Sequence, residues 1–207
     1  CLVGSTIAKG RIKTIDTKKA EWAPGVLAVI THLNVDKPSG YKKAKDKRNF
    51  GQPLQIFKDD SVLYYDQPIA LVIADTFERM QYAASLIKAD YFKEEHSTEL
   101  KKAAEKEKKV ETDKRNDYHR GEHDGYKNAE VVLEAEYTIP TEVHNPMELA
   151  NIIAKWDGNK PVLYTKSQGV EGTRKSVAGV FGVPIEDVEV HSEYLGGAFG
   201  MGLHTWP

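Results

Sequence analysis

The 207 residues suffice for one large domain or two small ones, and a hydrophobic content of 40% can supply real cores. The 29 Lys and Arg nearly balance the 31 Asp and Glu, and a net charge of -2 excludes a global pull toward nucleic acid or an anionic membrane. One cysteine, Cys1, excludes an intrachain disulfide, a Cys-ligated zinc site or an iron–sulfur cluster built by this chain alone, and no apolar run reaches the roughly 18–20 residues of a membrane span.

Leu2-Val3 reads as the inside of a strand, and residues 203–207 close on no terminating element, so both ends are expected to be cut. Residues 1–9 are too short and too weakly apolar for a secretory signal. Residues 26–31 form a β-branched run after the Pro24-Gly25 turn, a buried strand. A second strand is expected over 61–65. A third, over 69–74, is continuously apolar, the pattern of a strand covered on both faces.

Asp75 is expected to cap a helix, with Glu78 completing a capping box. Phe77, Met80, Ala84 and Ile87 then give one apolar helical face through about Ala89, and 90–92 return to strand. Strand–helix–strand in this order indicates a small layered unit. From Lys93 to Asn128 charge dominates, notably at 101–109, and the stretch reads as a solvated linker with a helical turn or two from opposed charges.

Order is expected to resume at Ala129, with a half-buried strand over 131–138. Residues 152–156 and 162–165 form a hairpin around Asp157-Gly158-Asn159-Lys160. Val170, Val177 and Phe181 mark a helix that stops at Gly182, with Pro184 blocking extension. Residues 188–190 lead as a strand into the glycine-rich loop 196–200.

Three constellations could carry chemistry. Gly196-Gly197-Ala198-Phe199-Gly200 lets the backbone turn sharply and approach a ligand, and its free N–H groups could cradle oxo or phosphate groups. It lacks the Lys-Ser/Thr of a P-loop and the spacing of a dinucleotide fingerprint. In His144-Asn145-Pro146-Met147-Glu148, a histidine and a glutamate flank a Pro-containing turn. With no third ligand nearby, a turn whose polar groups hold neighbouring loops is favoured over a metal pair. Gln168, in Thr165-Lys166-Ser167-Gln168, stands at a strand end before a helix, where its amide could donate to an oxyanion or metal-oxo group without adding charge.

The order His144 to Glu148, then Gln168, then a helix ending Phe181-Gly182-Val183-Pro184, then 196–200, resembles the large subunit of molybdenum hydroxylases. That family holds xanthine dehydrogenases, aldehyde oxidoreductases and isoquinoline oxidoreductases. Asn-Pro-Met-Glu with Gly-Gly-Ala-Phe-Gly-Met-Gly-Leu is most similar to bacterial aldehyde oxidoreductases of the periplasmic type. Residues 5–12, 23–29 and 66–72 resemble the family's α/β hammerhead domain. His119-Arg120-Gly121-Glu122 and Ala129-Glu130-Val131-Val132 resemble the joint leading into its molybdenum-binding region.

The resemblance implies an α+β chain: a hammerhead domain over 1–93, a charged linker over 94–128, and the first part of a molybdopterin-binding α/β domain over 129–207. It implies a molybdenum–molybdopterin cofactor, in some relatives as the cytosine dinucleotide, and oxidation of aldehydes or N-heterocycles with water as oxygen source. Gln168 would donate to a molybdenum oxo ligand, Phe199 and Gly200 would lie beside the metal, and Gly196, Gly197 and Ala198 would complete the close-approaching loop. None of these residues ligates the metal directly. The family's general-base glutamate is expected beyond Pro207, so no catalytic residue is assigned within this chain.

Met201-Gly202-Leu203 stands where some relatives carry a substrate-contacting glutamate, which leans away from purines toward aldehydes. Implied partners are an iron–sulfur subunit, an FAD subunit and the remaining C-terminal part of the molybdenum subunit, with no nucleic acid and no membrane. The compartment stays open between bacterial cytoplasm and periplasm. Alone, the chain is expected to be inactive and to hold no stoichiometric molybdenum. The alternative is an orphan structural module, a gene remnant without cofactor or catalysis.

Overall fold

The computed structural model describes residues 1–36, 56–105, 120–122, 124–203 and 205, among which lie nine short strands, several of them set by alternating or continuous apolar runs, and four helices. Among these residues no helix is long and apolar enough to cross a membrane. The chain clusters into two compact units, Cys1–His96 with His144–Pro207, and Ser97–Val143.

The described residues among the first 96 build two three-stranded antiparallel sheets. One has the order β1 (Leu2–Gly4), β5 (Pro68–Ala74), β3 (Val26–Thr31); the other, β4 (Ser61–Val62), β2 (Gly10–Asp16), β6 (Lys88–Lys93). Helices α1 (Lys18–Glu21) and α2 (Phe77–Leu86) pack with the β3–β5 side. Their core is Ala20, Ala23, Val29, Val72 and Ala83; a second core joins Ile7, Ile12, Val62 and Ile69. Strand β5 contributes to both, Ile69 to one and Val72 to the other, so it is covered on both faces as its unbroken apolar run requires.

Two local expectations change. The cap of α2 is Thr76, whose side chain accepts from the Arg79 amide, while Asp75 pairs with the Arg79 guanidinium one turn on. The expected strand over 61–65 closes after two residues, because Gln67 Oε1 takes the Leu63 amide at 2.7 Å and Asp66 adopts φ 65°. Strand β2 and helix α1 carry no strong periodicity in the sequence.

In the unit Ser97–Val143, α3 (Leu100–Ala104) and a 3-10 turn (Gly125–Asn128) are the helical pieces, with ion pairs Lys102–Glu99 at 2.8 Å and Lys127–Asp124 at 3.1 Å, both at i,i+3 spacing. Residues 106–109 of the charged run, and His119, lie outside the described residues. The strand expected over 131–138 is absent: these residues are irregular, with Val131, Leu133 and Tyr137 more than 80% exposed. Extended backbone becomes a strand only when another edge takes its N–H and C=O groups, and no described segment does so.

Beyond residue 143 the described residues include the sheet β7 (Ile152–Asp157), β8 (Lys160–Thr165), β9 (Glu189–His191). Strands β7 and β8 are the foreseen hairpin; β8 and β9 are parallel, linked through α4 (Val170–Phe181). A crossover helix is the usual way to return a parallel strand to its neighbour. Gly182 ends α4 in the left-handed conformation, its amide bonded to Ala178 O. Leu163, Ala178 and Val188 are the core, joined by Val177, Val183, Ile185 and Val190.

Candidate functional site

Because β8 and β9 run parallel, their carboxyl ends emerge side by side, the position where layered α/β sheets collect ligand-contacting loops. Ser192, just after β9, locks the two ends. Its hydroxyl accepts from the Ser167 amide and donates to the Ser167 carbonyl, each at 3.2 Å. Buried Ser167 in turn bonds the buried Thr173 hydroxyl at 3.0 Å and accepts from the Gly169 amide, tying the strand end to the first turn of α4.

Gln168 follows directly. Its amide donates to Gly202 O at 2.8 Å, and its exposed side chain runs beside Gly202, where an added Cβ would meet Gln168 Cγ at 3.3 Å and Ala198 Cβ at 3.2 Å. Gln168, Ala198 and the 3-10 turn Met201–Leu203 therefore converge, although 30 residues of chain separate the first two.

The glycine-rich loop is held from behind at three points. Glu148 accepts from the Gly196 amide at 2.6 Å, Lys166 Nζ donates to Gly197 O at 2.9 Å, and His144 Nδ1 bonds Phe199 O. A carbonyl only accepts, so Nδ1 carries the proton. Phe199 takes φ 46° and leaves its ring 75% exposed, while Gly200 follows at φ 92°. A Cβ at Gly200 would stand 2.6 Å from His144 Cε1, and one at Gly196 would stand 2.7 Å from Glu148 Oε2. At Gly200 the positive φ and the close approach together call for glycine, while at Gly196 a Cβ would displace the Glu148 carboxylate from the loop amide.

His144 and Glu148 thus do what a polar turn can do: both bond the loop backbone. Among the described residues no group of three His, Cys, Asp or Glu side chains could hold a metal ion. Every residue singled out in sequence, Gln168 and 196–200, lies in this one neighbourhood. Lys166, Ser192 and Thr173 carry much of its geometry and had no assigned role. Lys166 was visible as a basic residue beside Gln168, but its pairing with Glu148, 18 positions earlier, has no periodic signature.

Two family models match consecutive parts of the chain. Residues 1–95 match the aldehyde oxidase and xanthine dehydrogenase a/b hammerhead domain, and residues 104–207 match the molybdopterin cofactor-binding domain. The aldehyde oxidoreductase molybdenum-binding subunit PaoC of Escherichia coli K12 is 39% identical over 96% of this chain and 26% of its own length. The xanthine dehydrogenase/oxidase of Gallus gallus is 26% identical over 96% of this chain and 14% of its own length. Among solved structures, the aldehyde oxidoreductase of Desulfovibrio gigas superimposes with a TM-score of 0.68 at 26% identity, covering 92% of this chain and 22% of that one. The chain therefore spans between 14% and 26% of the length of these relatives. It belongs to the aldehyde oxidase and xanthine dehydrogenase family, with an α/β hammerhead domain followed by the first part of a molybdopterin cofactor-binding domain.

Proposed function

We propose that this chain forms one wall of the molybdenum site in an aldehyde-oxidising hydroxylase, with Gln168, Gly196, Gly197, Ala198, Phe199 and Gly200 facing the cofactor. The observation that carries the reading is the convergence of Gln168 with the glycine loop, through Gln168 N to Gly202 O, at the carboxyl ends of β8 and β9. The donor set fits a molybdenum held through its pterin. Beside the loop stands an exposed, uncharged carboxamide, and the ionisable side chains His144, Glu148 and Lys166 are engaged by the loop backbone.

When bound, the molybdenum–pterin group supplies the two-electron redox chemistry. The chain's own part is to offer the Gln168 amide as a neutral donor, to hold the loop backbone close, and to expose the Phe199 ring as an apolar surface. No carboxylate stands in Met201-Gly202-Leu203 to hold a polar purine, which supports an aldehyde substrate. The hammerhead region 1–93, the charged joint 94–128 and the cofactor region 129–207 are the working division. The rest of the molybdenum subunit, with its general base and most pterin contacts, and separate iron–sulfur and FAD subunits complete the enzyme. The cofactor is the molybdopterin form, with the cytosine dinucleotide as the variant to test.

The test is purification from the native source with every associated chain, followed by molybdenum and cytidine-monophosphate analysis and turnover of benzaldehyde against xanthine. The expected result is about one molybdenum per complex, benzaldehyde turnover, and a loss of about 100-fold in kcat/KM for Gln168→Ala, the size of removing one oxyanion-type donor. The 207-residue chain purified alone should hold no stoichiometric molybdenum and show no turnover. A native complex without molybdenum would overturn the reading in favour of an orphan structural module.

A further inference from the structure

We infer that Lys166 is the positioning residue of this site: its ammonium, paired with Glu148, sets the place of the 196–197 peptide against which the cofactor would pack. The inference rests on the loop facing the cofactor, as proposed above.

Lysine normally extends its charge into water, yet the Lys166 side chain is only 4% exposed. A buried ammonium is tolerated only when all its protons find acceptors. Lys166 Nζ has three: Glu148 O at 3.1 Å, Gly197 O at 2.9 Å and the Glu148 carboxylate at 3.3 Å. Two of its donors go to backbone carbonyls and its charge pairs with Glu148, so its contribution to the site passes through the groups it holds.

Those groups flank one peptide, the bond between Gly196 and Gly197, with the Gly196 N–H before it and the Gly197 C=O after it. Glu148 Oε2, fixed by Lys166, accepts from Gly196 N at 2.6 Å, while Lys166 itself takes Gly197 O. One ion pair therefore grips the N–H on one side and the C=O on the other of two consecutive glycines. Glycines have no side chain with which to lock themselves and lose more freedom on ordering than any other residue. An external clamp is what converts such a loop from an ensemble into a surface of fixed shape. Lys166 also sits directly between the end of β8 and Gln168, with Thr165 bonded to Asn151 O on one side and Ser167 to Ser192 on the other. The same strand end thus aims Gln168 and anchors the loop, so both walls keep a common reference.

The experiment compares wild type with Lys166→Met and Glu148→Gln in the protein purified with all chains that associate with it. Amide exchange is read at Gly196, Gly182 and the β8 amides, alongside molybdenum and pterin content. The Gly196 amide bonds Glu148 and not Lys166, so it reports transmission through the pair. Lys166→Met is expected to speed Gly196 exchange about tenfold or more, the loss of one charge-assisted bond. Gly182 and β8 should change less than about threefold, and cofactor content should fall. A purely structural lysine would instead raise exchange throughout α4 and β8.

Unchanged Gly196 exchange, or a uniform rise, overturns the inference. If Lys166→Met fails to fold, Glu148→Gln decides. It keeps volume and an acceptor while removing the charge, and accelerated Gly196 exchange is expected; unchanged exchange overturns the inference. A wild-type complex lacking molybdenum would sink the cofactor reading by itself, while the exchange comparison would still decide whether Lys166 holds the loop.

Discussion

Gly200 adopts φ 92° with a hypothetical Cβ only 2.6 Å from His144 Cε1, so any side chain must both strain the backbone and displace the ring that holds Phe199 O. Gly200→Ala is expected to cost about 1–3 kcal/mol by urea denaturation, the range for a strained position. Thr76→Ala should cost about 1 kcal/mol by the same measurement, because it frees the Arg79 amide that Thr76 Oγ1 accepts. Asp75→Ala should cost less, since the Asp75 carboxylate pairs with the Arg79 guanidinium and an ion pair with both partners about half exposed contributes little. Asp and Thr are both good caps, and the two stand next to each other. Their roles divide only once the chain's entry angle into α2 is set. For the same reason sequence could name Gln168 and the glycines from the family resemblance, but could not show that Lys166 Nζ would be buried among loop carbonyls.

Among the elements, β5 should be the least tolerant. Ile69 is 3% exposed in the core that joins the two sheets of residues 1–96, and Ile69→Ala is expected to cost about 2–5 kcal/mol. Ile73 on the same strand is 39% exposed, and Ile73→Ala should cost less than about 1 kcal/mol. Helix α4 has room to be improved. A Cβ at Gly179 would meet nothing within 4 Å, so Gly179→Ala should stabilise by about 0.5–1 kcal/mol, read as a higher urea midpoint. The β7–β8 hairpin, α4 with its Gly182 stop, and β5 were legible because local period, turn chemistry and burial agree there. Residues 131–138 were misread for the opposite reason. Alternation predicts which face would be buried, but a strand also needs a neighbouring edge, and no described segment supplies one.

For the whole molecule, acid stability should depend on two neighbouring carboxylates. The Asp59 carboxyl is held below the ordinary range mainly by the Ser61 amide, and that of Asp60 by hydrogen bonding to the Arg11 guanidinium. Both bind protons less readily folded than unfolded. Their stabilisation is therefore complete above the usual carboxylate value of about 4 and is lost as pH falls through the lowered folded-state values. The variant Asp59→Asn with Asp60→Asn should show a flatter fall in urea midpoint below about pH 4 than wild type. An equally steep fall would mean that other groups govern the acid limb.

Local pattern and motif order along the chain carry the order of the two domains, the family, the strongly periodic elements and the identity of the residues that gather at the glycine loop. That β8 and β9 run parallel and release their loops on one side, that Thr76 caps α2, and that Lys166 and Glu148 clamp the 196–197 peptide are outcomes of folding. Those outcomes depend on distances between residues tens of positions apart, and on which polar groups lose their water when the sheet and helix close. Periodicity along a chain carries neither quantity.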